Sequence, residues 1–194
     1  GKLASAYITL GVTLRMFTFH LNGLANTVKR PRHYVRLSVA AVEEAAFWLA
    51  NFARLNTAPL WRPVGMQAVD VTTASDAGEP GWGGHTVSGD GRPLAKEDQA
   101  LGGWKSAERK RSSTWRELKC LLNVIKAFVR QLAGKSVLAL VDAMNLRRLW
   151  DRGGSRIPEH HAMLVELWQF CQLHAIQLFV QWIPRRYNDR ADYL

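Results

Sequence analysis

The stretch VTTASDAGEPGWGGH, residues 71–85, is the one from which the fold of the chain can be inferred. Apolar and polar side chains alternate up to Asp76, and this period of two predicts a β-strand. A turn rich in glycine and proline follows, and GWGGHTV (81–87) then predicts a second strand, so the stretch is typical of a β-hairpin. An aspartate at a strand end often only forms a turn, because its carboxylate accepts hydrogen bonds from the next backbone amides. A functional role for Asp76 therefore requires other carboxylates that share a site with it.

The residues after the hairpin predict an α/β domain that extends over 66–194. Asn188 is expected to cap a last helix, which the end of the sequence truncates. SVLALV is an apolar run typical of a buried central strand. In order, the predicted elements are a strand at QALGGW (99–104), a helix from about Thr114 to Leu132, a strand at SVLALV (136–141), helices at MNLRRLW (144–150) and after Pro158, and a strand at IQLFVQWI (176–183).

Residues 1–65 predict a small helical segment in front of this domain. In LSVAAVEEAAFWLANFARLN (37–56), Ser38 is a plausible helix N-cap, and apolar residues recur at helical spacing at Val42, Leu49 and Phe52.

Charge and composition narrow the class of partner. The formal net charge of +10, from 26 Lys and Arg against 16 Asp and Glu, favours a polyanion. Nucleic acid is the first candidate and an anionic membrane surface the second. The two cysteines, Cys120 and Cys171, each lie in an apolar helical pattern, which argues against a disulfide framework or a four-ligand zinc site. No apolar run reaches the roughly 18 to 20 residues that span a bilayer, and no secretory signal is recognisable.

Four carboxylates occupy comparable positions: Asp76 and Asp142 each close a predicted strand, and Glu117 and Asp192 each lie near a helix start. Strand ends and helix starts meet at one edge of an α/β sheet, so these side chains can converge. Clustered carboxylates without His or Cys suit the hard cations Mg²⁺ and Mn²⁺. Each also has a structural alternative: Thr114 and Glu117 match a capping box, and Asp192 could simply favour a helix dipole.

Each of these carboxylates lies in a longer motif: SDAGEPGWGGH (75–85), STWREL (113–118), LALVDAMN (138–145) and WIPRRYNDRADYL (182–194). Together the motifs resemble the ribonuclease H domain of a retroelement reverse transcriptase, most closely that of DIRS-like retrotransposons. GKLAS (1–5) and LSVAAVEEAAFWL (37–49) are similar to the thumb and connection segment of those enzymes. The resemblance implies a ribonuclease H-like fold, with a mixed five-stranded sheet flanked by helices.

The resemblance also implies an activity. Asp76, Glu117, Asp142 and Asp192 would bind two Mg²⁺ or Mn²⁺ ions and form the catalytic site of an endonuclease that cleaves the RNA strand of RNA–DNA hybrids. The partners would be the hybrid and the polymerase domain of an intact polyprotein, inside the cell in cytoplasm or nucleus. The chain lacks the paired-aspartate polymerase motif, so no DNA synthesis is expected from it.

The chain departs from the family pattern at three places. Gly78 stands where the family usually has Ser, Ala143 follows Asp142 where Asn is common, and the loop before Asp192 has no catalytic His. Arg185 or Arg186 is a candidate to stabilise the leaving group instead. Two alternatives stay open: a catalytically silent nucleic-acid-binding module, and another nuclease of the same superfamily that acts on DNA.

A basic stretch, KSAERKRSSTWR (105–116), precedes Glu117 and is the best candidate for phosphate contact. A merely solvated loop is the alternative for any single cation. With the two arginines of the last loop, the predicted nucleic-acid-binding residues are Lys105, Arg109, Lys110, Arg111, Arg116, Arg185 and Arg186.

Overall fold

The computed structural model describes residues 13–28, 34–56, 68–87, 98–188 and 191. The chain divides into two compact units, one made of residues 1–66 with Asp151–Ser155, the other of residues 67–150 and 156–194. The predicted domain boundary between residues 65 and 66 falls in the segment 57–67, outside the described residues. Among the described residues, no helix combines the length and the apolarity that a membrane span requires.

In the first unit, helix α1 (Phe19–Thr27) lies against helix α2 (Val39–Asn56). The hydroxyl of Ser38 accepts a hydrogen bond from the backbone amide of Ala41 at 3.2 Å, which confirms Ser38 as the cap of α2. The carboxylate of Glu44, only 5% exposed, accepts the backbone amides of His20 and Leu21 at 2.8 and 2.9 Å. A side chain of α2 therefore caps the first turn of α1, where amides have no partner within the helix.

Helix α2 buries a different face from the one that its apolar spacing indicates. Val42 and Leu49 are 50% and 89% exposed, whereas Glu44 and Trp48 are buried. The indole of Trp48 donates to the carbonyl oxygen of Phe17 at 2.7 Å. The buried face of α2, which carries Glu44 and Trp48, is thus hydrogen-bonded to residues in α1 and just before it.

The second unit contains a five-stranded sheet with helices. Its elements are β1 (Val71–Ala77), β2 (Gly81–Val87), β3 (Gln99–Gly103), α3 (Ser106–Arg109), α4 (Ser113–Ala127), α5 (Val129–Leu132), β4 (Ser136–Val141), α6 (Met144–Arg152), which runs into the segment grouped with the first unit, α7 (Pro158–Leu173), β5 (Gln177–Trp182) and a short 3-10 helix, Arg185–Tyr187. The predicted helix from Thr114 to Leu132 is divided at Phe128, which leaves helical geometry with ψ of 14°.

The strands lie in the order β3-β2-β1-β4-β5. The first three strands are antiparallel neighbours, whereas β4 runs parallel to both β1 and β5. Ser75 of β1 is paired with Val141 of β4, so the next residues along each strand, Asp76 and Asp142, emerge side by side. The mixed topology therefore places two of the four predicted carboxylates at one edge of the sheet.

Helix α4 covers the sheet next to β1 and β2. Its apolar face is fully buried, with Leu118, Leu121, Leu122 and Ile125 all at 0% exposure. The helix comes so close that a Cβ atom at Gly84 of β2 would lie 2.4 Å from a methyl group of Val124. This contact fixes the height of α4 above the sheet, and with it the position of Glu117.

Candidate active site

Three of the predicted carboxylates converge. Asp76, Glu117 and Asp142 each offer one carboxylate oxygen, and these three atoms lie within 4.8 Å of one another. Asp76 is the penultimate residue of β1, Glu117 lies in the second turn of α4, and Asp142 directly follows β4. The fourth predicted carboxylate, Asp192, lies outside the described residues.

The start of α4 excludes the capping-box alternative for Glu117. The N-cap of this helix is Ser112, whose hydroxyl accepts the backbone amide of Trp115 at 3.3 Å. Thr114 is already the second residue inside the helix, so it cannot form a capping box with Glu117. Glu117 instead points toward the two aspartates, and its carboxylate is available to the cluster.

The surroundings of Glu117 oppose its ionisation. Burial, together with the negative charges of Asp76 and Asp142, raises the pKa of Glu117 to about 8, although Arg116 and Arg185 oppose the shift. The protonated form of Glu117 is thus favoured at neutral pH when no cation compensates the cluster. Three converging carboxylates supply only hard oxygen donors, the ligands preferred by Mg²⁺ and Mn²⁺. The residues present therefore fit such a metal ion.

A cavity of about 290 Å³ adjoins two of the carboxylates. Its other walls come from the starts of two helices, α4 and α6, and carry hydroxyl and amide groups. The lining includes Glu117, Asp142, Ser113, Thr114, Met144 and Asn145. A polar group of a ligand bound here would lie next to the carboxylate cluster.

Donors from other elements hold the backbone around Asp76. The thiol of Cys120, fully buried one turn after Glu117, donates to the carbonyl oxygen of Asp76 at 3.0 Å. Burial and the carboxylates of Glu117 and Asp76 raise the pKa of this thiol, so it remains a neutral donor. The amide of Asn188, which is 2% exposed, donates to the carbonyl of Ser75 at 3.1 Å.

Two further donors converge on the turn that follows Asp76. The guanidinium of Arg116 and the indole of Trp104 donate to the carbonyl oxygen of Gly78 at 3.0 and 3.1 Å. A third donor, the indole of Trp182, donates to the carbonyl of Asp142 at 2.8 Å. The sequence does not predict these roles of Cys120, Trp104 and Trp182. The only signal for Trp182 was its place at the end of the strand next to Asp142.

The predicted nucleic-acid-binding residues occupy different environments. Lys105, Arg109 and Lys110 are exposed around α3. Arg111 is paired with Glu159 at 2.8 Å, and Arg116 is bound to Gly78 as described.

The two arginines of the last loop also differ from each other. Arg185 acts electrostatically on Glu117, whereas the guanidinium of Arg186 lies 4.9 Å from the ring centre of Tyr187. Of the two arginines, Arg185 is therefore the one whose charge is shown to act on the carboxylate cluster.

Comparison with known proteins gives structural neighbours only. No family model matches the sequence, and no curated protein does. A ribonuclease H1 from the halophilic archaeon Halobacterium salinarum is similar with a TM-score of 0.52 at 18% identity, over 64% of this chain and 92% of that one. LC11 ribonuclease H1, solved in complex with an RNA/DNA hybrid, gives 0.50 at 17% identity over 64% and 93%. A foamy viral protease-reverse transcriptase in complex with double-stranded DNA scores 0.45 at 11% identity, over 86% and 33%. The first two matches and the strand order confirm the expected ribonuclease H-like fold.

Proposed function

We propose that the chain is a metal-dependent endonuclease that cleaves the RNA strand of RNA–DNA hybrids. The observation that carries this proposal is the convergence of Asp76, Glu117 and Asp142 at the edge of a ribonuclease H-like sheet. Carboxylates at such an edge are held by rigid elements, which is what a metal-assisted reaction needs from a protein. The hybrid-bound LC11 enzyme shares the fold and supports this choice of substrate by analogy.

In this proposal Asp76, Glu117 and Asp142 hold the metal, with Asp192 as a fourth ligand, and the full complement is two Mg²⁺ or Mn²⁺ ions. When bound, such ions supply Lewis-acid stabilisation of the scissile phosphate and lower the pKa of the attacking water. The protein contributes the fixed positions of its carboxylates, which serve as ligands and not primarily as proton shuttles. Ionisation of Glu117 accompanies metal binding, because ligand carboxylates coordinate in their deprotonated form.

Arg185 is the residue that we assign to the leaving group. It belongs to the short helix after β5, and its positive charge acts to lower the pKa of Glu117, against the larger effects of burial and the two aspartates. A guanidinium next to the carboxylates can donate to the leaving 3′ oxygen or to a phosphate oxygen as negative charge develops. Arg186 is stacked on Tyr187 and is assigned no such role.

Two regions of the protein would contact the hybrid. The cavity beside Glu117 and Asp142 offers the hydroxyls of Ser113 and Thr114 to ribose, and 2′-hydroxyls are what distinguish RNA from DNA for a protein. The exposed cations around α3, Lys105, Arg109 and Lys110, would contact phosphates and position the duplex. Arg111 and Arg116 are also proposed for phosphate contact, although each already has a partner within the chain.

The retroelement context rests on the sequence motifs. On that basis we propose that this is the ribonuclease H domain of a DIRS-like reverse transcriptase, preceded by a thumb-like segment over residues 1–65. It would act inside the cell, next to a polymerase domain that the motifs of this chain do not provide. That polymerase would be its partner on the hybrid.

The decisive experiment is cleavage of a hybrid labelled on the RNA strand, with Mg²⁺ or Mn²⁺ and with EDTA. Wild type is compared with Asp76→Asn and Asp142→Asn, and with Glu166→Gln as a matched control that removes an exposed carboxylate outside the cluster. Loss of one metal ligand is expected to lower the rate by at least about 100-fold, in line with the large share of catalysis that metal-held charge supplies. An all-DNA duplex and an all-RNA duplex are run in parallel.

Each outcome points to a different function. Metal-dependent cutting of the hybrid alone, lost in both aspartate variants and kept in Glu166→Gln, supports the proposal. Cutting of the DNA duplex would indicate a DNA nuclease of the same fold. Binding of hybrid without cleavage, even with the polymerase domain added, would indicate a silent binding module.

A further inference from the structure

The indole of Trp182 contacts the backbone of a proposed metal ligand. Trp182 is the last residue of β5, and its Nε1 donates to the carbonyl oxygen of Asp142 at 2.8 Å. Along the two parallel strands, Trp182 is in register with Val141, the residue before Asp142. Strand pairing therefore brings the indole to the point where the chain leaves β4.

Asp142 needs such a contact because it lies beyond the paired part of its strand. The backbone amide of Ile183 donates to the carbonyl of Val141 at 2.8 Å, and the register between β4 and β5 ends at Val141. The peptide group that follows Asp142 is then held through its carbonyl by a side chain, not by the ladder. An aspartate side chain is short, so the position of its carboxylate follows the orientation of its backbone closely.

We propose that Trp182 is a positioning residue that orients Asp142 for metal binding. The inference rests on the proposed function, and it goes beyond the ligands themselves to a residue on the far side of Asp142 from Asp76. The neighbours of β4 in the sheet are β1, which carries Asp76, and β5. Trp182 of β5 thus supplies a donor on the side of Asp142 opposite Asp76.

The environment of Trp182 agrees with a role that depends on its N–H group. The residue is 36% exposed, whereas the buried tryptophans of the described residues are at most 8% exposed. Burial of the ring alone therefore does not account for a tryptophan here. A similar contact occurs on β1, where the carbonyl oxygen of Asp76 accepts a hydrogen bond from the side chain of Cys120 at 3.0 Å.

The test is to remove the N–H group of Trp182 while the ring remains. Trp182→Phe does this with a smaller ring, and benzothienylalanine at position 182 does it at almost unchanged size. Trp48→Phe is the matched control, because it removes an indole donor to a carbonyl, that of Phe17, in the other unit. Mn²⁺ affinity is measured by calorimetry without substrate, and the Mg²⁺ concentration for half-maximal cleavage is measured with hybrid.

Both position-182 variants are expected to weaken Mn²⁺ binding and to raise the half-maximal Mg²⁺ concentration by about 10-fold, as for other residues that orient metal ligands. The KM for hybrid at saturating metal should stay within about twofold, since a residue that only orients a metal ligand does not itself bind the substrate. Trp48→Phe is expected to change neither metal constant.

Other outcomes separate the inference from the function on which it rests. Unchanged Mn²⁺ affinity in both variants, with a wild type that binds Mn²⁺ and cleaves, overturns the role of Trp182 and leaves the nuclease standing. A raised KM without a metal effect also overturns it, in favour of a contact between Trp182 and the hybrid. A wild type that neither binds Mn²⁺ nor cleaves refutes the proposed function itself.

Discussion

Ser112 accepts the backbone amide of Trp115 at 3.3 Å, and this hydrogen bond caps the start of α4. The sequence SST at 112–114 offers three possible caps, and the choice among them determines the position of Glu117 in the helix. With Ser112 as the cap, Glu117 is in the second turn and lies near Asp76 and Asp142. The cap is thus linked to the geometry of the site.

Replacement of Ser112 by Ala is expected to destabilise the protein by about 1 kcal/mol, the usual effect of losing a helix N-cap. Thr114→Ala, inside the helix, should have a smaller effect, because Thr114 does not cap it. Urea unfolding of both variants measures the difference. A larger loss for Thr114→Ala would mean that the helix begins elsewhere than at Ser112.

The elevated pKa of Glu117 predicts a pH-dependent stability in the absence of metal. Its folded-state pKa of about 8 lies above the ordinary value of 4.5. The stability contributed by the bound proton is therefore complete below pH 4.5 and is lost as the pH rises through 8. Glu117→Gln cannot lose a proton. In EDTA, its free energy of unfolding relative to that of wild type should therefore rise between pH 5 and pH 8 by more than about 1.4 kcal/mol, the equivalent of one pKa unit.

The measurement is urea unfolding in EDTA at both pH values, with Glu166→Gln as a control whose carboxylate is half-exposed on α7. Addition of Mn²⁺ at pH 8 should stabilise wild type and have little effect on Glu117→Gln, because the cation replaces the proton in the cluster. An equal difference in free energy of unfolding between the two proteins at pH 5 and at pH 8 would show that Glu117 is ionised throughout.

The close approach of α4 to β2 predicts that Gly84 tolerates no side chain. A Cβ atom at Gly84 would lie 2.4 Å from Val124 and 2.9 Å from the carbonyl oxygen of Ala74. Gly84→Ala is expected to destabilise the protein by about 1 to 3 kcal/mol, as overpacking does elsewhere. Val124→Ala should restore part of this loss, and thermal unfolding of the double-mutant cycle measures how much.

Gly103→Ala is the control for this effect, since a Cβ there would meet nothing closer than 4.0 Å. It should change stability little. Equal losses at Gly84 and Gly103 would attribute the effect to backbone conformation and not to the contact with Val124.

In the first unit, Glu44 is expected to be the most sensitive carboxylate. It accepts the amides of His20 and Leu21 and lies 2.9 Å from Nδ1 of His20. Glu44→Ala leaves these amides without a partner at the start of α1, which should cost about 2 to 4 kcal/mol. Glu43→Ala, on the exposed side of α2, should be nearly neutral. Hydrogen exchange of the α1 amides distinguishes the two, with protection lost only in Glu44→Ala.

The basic surface around α3 can be tested through the ion pair between Arg111 and Glu159. Both side chains are about half exposed, so the pair is expected to contribute no more than about 1 kcal/mol to stability. Arg111→Ala should weaken hybrid binding. It should also make the affinity for hybrid less dependent on salt concentration, by about the contribution of one phosphate contact. Glu159→Ala removes the same ion pair and should leave affinity equal or higher. Equal weakening in both variants would mean that the pair acts structurally and that Arg111 does not contact phosphate.

Much of the fold could be predicted because its signals are local. The alternation before Asp76 and the turn residues after it specify the hairpin, and the apolar run SVLALV specifies a central strand. The buried face of α2 could not be predicted in the same way. Apolar spacing favours Val42 and Leu49, whereas the chain buries Glu44 through hydrogen bonds to residues that are distant in sequence.

The candidate site, like the fold, could be predicted only in part. Strand ends pointed to Asp76 and Asp142, and the structure brings both together with Glu117. The donors that hold their backbones were not predictable, because Cys120 and Trp182 have the sequence signature of ordinary apolar positions. Their role depends on which carbonyl each one reaches, and only the packed sheet determines that.

The parallel pairing of β1 with β4 has a consequence for how the protein is made. Asp70 and Ser136, at the start of this pairing, are 66 residues apart in sequence, yet they exchange two hydrogen bonds. The antiparallel strands β1 to β3 are near neighbours in the chain, whereas joining β4 to β1 requires closure of a long loop. A nascent chain can therefore form its hairpin with Asp76 early. It holds no complete carboxylate cluster until the strand that leads to Asp142 has left the ribosome.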